Sequence, residues 1–445
     1  MTAAARTQAR TSSALRLGDR LRQLRVSAGM TQTELAGSRF SKEYVSQIER
    51  GKTRPTRETL EWLAQQLGVD ADFLANGVST DERSRIETVL ARAEALAEAL
   101  QYPEAIEQVD DVRTAVLATA SPDLTVRMYS VEAWARQSVG EVRPAIELLS
   151  RARELAEGPQ FSDVDRADLL YRLGVCRHKL SSIATAVALF DEALTLAERS
   201  GLPCDLLRSK ILNFRSRCRR RQRDYEAARE DVERALELAE GLEDRRMTAH
   251  VYFQASLIAE REGQWVTART YAERARSLYE EVEDRADVGR ILNNLGALNF
   301  LLGKSDEAVR SFKDAFKVLL DTGRDDEAAT AVSSLAQVQL AQGELATAEE
   351  QARHALSMLD EREDRLDEIG NAQLVLGRSL LEQGRLDEAE AVFVEAEATF
   401  DKYESASHRA AAWIAKGDLA ARRGNDSEAA RLYRRAAETL QDFRF

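Results

Sequence analysis

Apolar positions in the first part of the chain fall into short helical stretches that carry their own punctuation. Leu17, Leu21 and Leu24 share one face of a first helix over about residues 17–27, and Gly29 closes it. Thr31 followed by Glu34 is a capping box that opens a second helix over residues 32–36. A tight turn over residues 37–40 leads to a third helix, started by Ser41 and filled by Tyr44, Val45 and Ile48. Gly51 ends that helix and Pro55 keeps it from resuming. Leu60, Leu63 and Leu67 mark a fourth helix over residues 57–67, and a short fifth helix lies around residues 72–74.

Beyond residue 77 the pattern becomes periodic. Each unit reads as a small residue, a glycine about seven positions later, an alanine, an aromatic or aliphatic residue, and a second alanine. Leu295-Gly296, Gly303, Ala308, Phe312 and Ala315 form one instance; Leu376-Gly377, Gly384, Ala389, Phe393 and Ala396 form another. The last small position recurs at Ala152, Ala193, Ala235, Ala275, Ala315, Ala355, Ala396 and Ala436, in steps of 40 to 42 residues. That gives eight units, and Val112, preceded by Ala105 and Ala93, ends a degenerate first unit after a linker over residues 76–81. Small residues let the two helices of a hairpin approach closely, the glycine between them ends the first, and the large residue fills the space between repeats. The fold class is all-α, a five-helix head followed by an array of helical hairpins.

Composition fits this. The chain is 44% hydrophobic, 6% aromatic and 31% charged, with 6 prolines in 445 residues. Charge divides by region: residues 1–77 hold twelve Lys and Arg against eight Asp and Glu, whereas the remainder carries a net −17. A basic head on an acidic body is what a small DNA-binding domain on a different module would show. The three cysteines, Cys176, Cys204 and Cys218, match neither a disulfide framework nor a zinc spacing, and suit a reducing cytoplasm. No apolar run is long enough to cross a bilayer, and residues 1–14 lack the apolar core of a signal peptide, so they are expected to form a disordered, slightly basic arm.

A short turn between two helices inside a compact helical domain places the second helix of the pair in the DNA major groove. The head, residues 15–77, resembles the Cro and phage-repressor (XRE) helix-turn-helix family through Met30-Thr31-Gln32-Thr33-Glu34-Leu35-Ala36, Tyr44-Val45-Ser46-Gln47-Ile48-Glu49-Arg50-Gly51-Lys52, Pro55, Leu60 and Leu67-Gly68-Val69. The segment between Ala36 and Ser41 is one residue shorter than the family's. The resemblance implies that Gln32 contacts a phosphate, that Lys42, Glu43, Ser46 and Gln47 face base edges, and that Arg50 and Lys52 lie on the backbone of duplex DNA; Ser41 and Tyr44 complete the candidate interface. These residue types suit those roles, since Gln pairs with adenine, Lys with guanine, Glu accepts from cytosine, and Arg and Lys neutralise phosphates. A homodimer reading two half-sites is the usual arrangement, and Tyr433, Leu440, Phe443 and Phe445 offer one candidate surface for it.

The body, residues 78–445, resembles tetratricopeptide repeats whose helices are longer than the about 34-residue consensus. The resemblance implies a right-handed solenoid with a concave groove lined by the first helix of each hairpin. Offsets of −6, −3, −2, +1, +4 and +5 from Gly174, Ser216, Ser256 and Gly296 select Arg172, Lys179, Lys210, Arg217, Arg220, Arg221, Arg261 and Arg290, the amides Asn213, Gln254, Asn293 and Asn294, and only two acids, Asp168 and Glu260. Amides and arginines at these positions could hold an extended, anionic peptide. The same arginines could equally reach carboxylates on neighbouring helices.

Catalytic chemistry has no foothold. Gly303-Lys304-Ser305 resembles the end of a P-loop, but Leu298 stands where that motif needs glycine. The four histidines lie far apart and, Cys176 two positions before His178 excepted, have no cysteine or second histidine near them, so neither metal nor cofactor is expected. The architecture resembles bacterial receptors that join such a head to tetratricopeptide repeats and bind short signalling peptides; an interaction scaffold, or a regulator of a partner enzyme, is the alternative.

Overall fold

Local punctuation sets the head. In a computed structural model that describes residues 17–77, 79–119, 121–359, 365–403 and 405–441, five helices form it: α1 (17–27), α2 (Gln32–Ala36), α3 (Lys42–Glu49), α4 (Arg57–Leu67) and α5 (Ala71–Asn76). Leu17, Leu21, Leu35, Val45, Ile48, Leu63 and Leu74 build one core from all five. Gly18 allows α1 to lie against the end of α3, because a Cβ there would run into the carbonyl oxygens of Ile48 and Glu49. Arg20 ties the other end of the head together, its Nη1 donating to Leu74 O at 2.9 Å.

The linker is shorter than its composition suggests. Gly77 leaves α5 at φ 84°, and Ser79 already caps the next helix, its Oγ accepting from Glu82 N at 3.2 Å. Thr80 and Asp81, expected in the linker, belong to α6.

The chain falls into two compact units, Met1–Asp224 and Tyr225–Phe445. After the head, the first unit continues with α6 (Thr80–Glu98), α7 (Tyr102–Thr119), α8 (Pro122–Ser138), α9 (Val142–Leu155), α10 (Asp163–Lys179), α11 (Ile183–Arg199) and α12 (Asp205–Arg221). The second unit holds α13 (Tyr225–Gly241), α14 (Arg245–Arg261), α15 (Trp265–Glu281), α16 (Arg285–Leu301), α17 (Ser305–Asp321), α18 (Asp325–Ala341), α19 (Leu345–Met358), α20 (Leu366–Glu382), α21 (Leu386–Lys402), α22 (Ala406–Arg422) and α23 (Asp426–Gln441). No strand occurs among the described residues.

Size matching holds the hairpins closed. A Cβ built on Gly174 would lie 2.5 Å from Phe190 Cε1, one on Gly296 2.7 Å from Phe312, and one on Gly417 2.6 Å from Tyr433. The large residue stands sixteen positions after the glycine in each case, and Gly377 with Phe393 repeats the pairing. Where the first position carries a Cβ, the second shrinks: Ala93 precedes Val109, Ala133 precedes Leu149, Ser256 precedes Ala272 and Ala336 precedes Ala352, all buried. A ring on the second helix therefore goes with a glycine on the first, and a Cβ on the first goes with a smaller residue on the second, so each couple is matched within its own hairpin.

The turn inside a hairpin needs a left-handed residue. Glycine supplies it at Gly140, Gly263, Gly303, Gly343, Gly384 and Gly424, whereas Leu100, Ser181 and Arg223 adopt positive φ at the corresponding place. Arginines of the following repeat cap the helix before them: Arg166 Nε donates to Ala156 O at 2.9 Å and Arg208 Nη2 to Ala197 O at 2.7 Å. Such bonds satisfy carbonyls that a helix end leaves open.

The arm over residues 1–14, Phe443 and Phe445 lie outside the described residues. Tyr433 packs onto its own hairpin at Gly417 and donates to Asp418 Oδ1 at 2.7 Å, leaving it 38% exposed; Leu440 is 41% exposed. No described helix is long and apolar enough to cross a membrane.

Candidate functional site

The two helices of the head's central pair are capped as their sequences require. Thr31 Oγ1 accepts from Glu34 N at 3.2 Å while Glu34 Oε2 accepts from Thr31 N at 2.6 Å, completing the box that opens α2. Ser41 Oγ accepts from Tyr44 N at 3.1 Å and opens α3. The short connection between them is covered by aromatic rings: Phe40 meets Trp62 edge-on at 5.1 Å and Tyr44 at 5.4 Å. Gly37, at φ 53°, sits under Trp62, whose ring leaves little space for a side chain there.

This fixes which face of α3 looks outward. Val45 and Ile48 are buried, Lys42, Glu43, Gln47, Arg50 and Lys52 are exposed, and Ser46 is half-buried beside them. Tyr44 is half-buried and turned to Phe40. Gln32 is held from within: its Nε2 donates to Glu49 Oε2 at 2.7 Å. The same carboxylate takes Arg25 of α1 at 2.6 Å and 3.2 Å, while Arg25 Nη1 donates to Met30 O at 2.8 Å. Glu49 thus joins α1, α2 and α3, a role that reading the motif by itself did not assign. The available signal was an acid on the inward face of α3, four positions after Val45.

In the first unit the groove residues of α10 and α12 form a basic and aromatic surface. Arg172 pairs with Asp168 at 2.6 Å and lies 5.7 Å from the Trp134 ring; Arg217 lies 4.9 Å from Phe214. Phe214 also meets Tyr171 and His178 edge-on. Lys179 Nζ donates to Gln137 O at 2.7 Å, and Arg221 Nη2 reaches Ser181 Oγ at 3.4 Å. Lys210 and Arg220 are half-buried on the same helix, and Asn213 is buried with no donor on its Oδ1. Burial, and then Arg221, Arg217, Arg220 and Lys179, push His178 down to about 4. The ring therefore senses the field of four cations.

In the second unit Arg290 follows the second of the two readings, pairing with Asp287 and standing 3.7 Å from Glu327. In the first unit Arg172 does the same with Asp168. Counting charges along the first helices could not register Glu327, which comes from the next hairpin. Asn294 is buried, accepting from Ser256 Oγ at 2.9 Å and donating to Glu260 Oε2 at 3.1 Å. Gln254 is buried and Arg261 exposed, while Asn293 keeps an Oδ1 with no donor. Further along the unit a cavity of about 820 Å³ opens over Leu340, Leu381 and Ala421, flanked by Arg378, Glu382 and Arg422. These residues sit at the +1, +4 and +5 offsets of later hairpins, which the sequence reading left out. Among the described residues no group of His, Cys, Asp and Glu is arranged to hold a metal ion.

A helix-turn-helix domain model matches residues 16–77, and tetratricopeptide repeat models match overlapping segments from residue 165 to 361 and from 335 to 442. Over 54 residues the chain is 48% identical to the uncharacterized HTH-type transcriptional regulator y4dJ of Sinorhizobium fredii, covering 12% of this chain and 70% of that protein. The chain belongs to the HTH-type transcriptional regulators. Another such regulator, DdrOP3 of Deinococcus deserti, is 40% identical over 65 residues, which are 14% of this chain and half of that protein's length. The likeness to these regulators extends over 54 and 65 residues of the 445. For the body, the apo form of the quorum sensor NprR from B. thuringiensis shares the fold, at 12% identity and a TM-score of 0.62, over 80% of this chain and 99% of that one.

Proposed function

We propose that this regulator binds operator DNA through α3 and senses a ligand through its repeats, with residues 15–77 as the DNA-binding domain and residues 78–445 as the sensor. The carrying observation is the division of α3, with Val45 and Ile48 in the core and Lys42, Glu43, Ser46 and Gln47 outward, followed by Arg50 and Lys52. Lys42 and Gln47 reach base edges with Glu43 and Ser46 beside them; Arg50 and Lys52 take phosphates. Ser41 and Gln32, at the starts of α3 and α2, lie where helix N-termini favour a phosphate, and Tyr44 braces the turn. Selecting duplexes from a random pool with the full chain tests this. Lys42→Ala and Gln47→Ala are each expected to lower affinity for the selected site by about 1–3 kcal/mol, and unchanged affinity in both would remove α3 from the interface.

One small domain makes few base contacts, so the working form is a homodimer reading two half-sites about one helical turn apart. The chain works as a regulator and not as an enzyme, in the cytoplasm and on the nucleoid when bound. Its ligand is a short peptide or another anion. Supporting this, Arg217, Arg220, Arg221 and Lys179 set a positive field at His178, and the Asn213 carbonyl on the same surface lacks a donor that a peptide backbone could supply. Likeness in fold to a quorum sensor agrees with it. Titrating acidic peptides against the full chain and an Arg217→Ala, Arg221→Ala variant checks the assignment, and binding indifferent to those changes would refute it.

A further inference from the structure

The chain leaves α3 through Gly51, whose φ of 66° turns it back so that Lys52 N donates to Gln47 O at 2.8 Å. This brings Thr53 beside the outward face of the helix. Its hydroxyl donates to Gln47 Oε1 at 3.0 Å. A carboxamide is a planar fork with an acceptor on one prong and two donors on the other. With Oε1 drawn toward Thr53, Nε2 is turned away from the turn and keeps both hydrogens. Adenine's major-groove edge asks a glutamine for one donor and one acceptor and would load Oε1 with a second bond in a direction the Thr53 hydroxyl already constrains, whereas guanine presents two acceptors, N7 and O6, and asks nothing of Oε1.

We propose that Thr53 is a specificity-determining residue that acts through Gln47, setting its carboxamide to read guanine where an unrestrained glutamine would read adenine. Thr53 touches no base in this account and is a positioning residue. The inference rests on the reading of α3 as the recognition helix and adds to it which base the helix selects.

The test uses the full chain and duplexes selected from a random pool. Gln47→Ala first locates the base pair that Gln47 reads, as the position where preference is lost. The unaltered protein is expected to favour guanine there over adenine by about 5-fold or more, the lower end for one good base contact. Thr53→Val, which keeps the shape and removes the hydroxyl, is expected to abolish that preference or turn it to adenine, and Thr53→Ser to retain it. The slope of affinity against salt is expected to be the same for all three, because phosphate contacts are untouched. A preference for adenine in the unaltered protein, or a guanine preference that survives Thr53→Val, would overturn the proposal while leaving α3 on the DNA. If no sequence is enriched, the recognition-helix reading fails first and the proposal with it.

Discussion

Replacing Glu49 with alanine is expected to bring the head close to unfolding while leaving the repeats intact. The Arg25 side chain is 12% exposed and that of Glu49 4%. Without the carboxylate, Arg25 keeps only the Met30 carbonyl and Gln32 loses its acceptor. Breaking a buried pair by removing one partner costs about 3–5 kcal/mol. A domain of this length holds only about 3–9 kcal/mol in total, so the variant should sit near its midpoint of unfolding. Removing both charges is a different perturbation. Arg25→Met with Glu49→Leu is expected to fall within about 1 kcal/mol of the parent or above it, because neither charge is then left buried alone. Hydrogen exchange read by mass spectrometry on the full chain separates peptides of the head from those of the repeats, giving an opening free energy for each. A loss below about 1 kcal/mol in Glu49→Ala, or a double variant as damaged as the single, would refute the claim that this carboxylate holds α1, α2 and α3 together.

Gly174→Ala is expected to cost about 1–3 kcal/mol by overpacking against Phe190, and Phe190→Ala about 3–5 kcal/mol by leaving a cavity; the pair together should cost less than the sum, which denaturant melts arranged as a double-mutant cycle would show. Leu100→Gly is expected to raise stability by about 0.5–1 kcal/mol in the same assay, since Leu100 is two-thirds exposed at φ 63° and loses only backbone strain. For His178 the folded value of about 4 lies below the ordinary value of about 6.5. The neutral ring is thus the folded form, and its stabilisation is complete above about pH 6.5 and lost as pH falls toward 4. Thermal melts between those limits should decline less steeply in His178→Gln than in the parent.

Legibility followed the range of the interaction. Helix α2 was readable to the residue because Thr31 and Glu34 act on backbone within one turn of themselves, and α4 because Leu60, Leu63 and Leu67 share one face; Thr56 and Gly68 then cap it. The outward face of α3 was equally plain, since Val45 and Ile48 declare the inward one. Gln32 was not: its partner Glu49 is seventeen positions away, and only the packing of α1 against α3, permitted by Gly18, brings Arg25 to the same carboxylate. The surroundings of Arg290 were half legible, since Asp287 lies one turn before it on the same helix whereas Glu327 belongs to another hairpin. The pairing of small and large residues was present in the letters throughout. It was hidden because Gly with Phe and Ser with Ala look unlike each other, although in both the first residue limits how large the second can be.

That pairing governs how such an array can be rebuilt. A crossover between two copies that falls after one hairpin and before the next transfers a matched couple intact, so whole hairpins can be duplicated, deleted or exchanged without disturbing the volume inside any of them. A crossover at the left-handed turn joins the first helix of one copy to the second of another. Gly296 followed by the equivalent of Ala272 would leave a void, and Ser256 followed by the equivalent of Phe312 would collide. The inheritable unit therefore begins at the start of each first helix and not at the glycine that most visibly punctuates the repeat, and chimeras of this chain should tolerate joints at residues 283–284 or 323–324 far better than joints at residues 263 or 303.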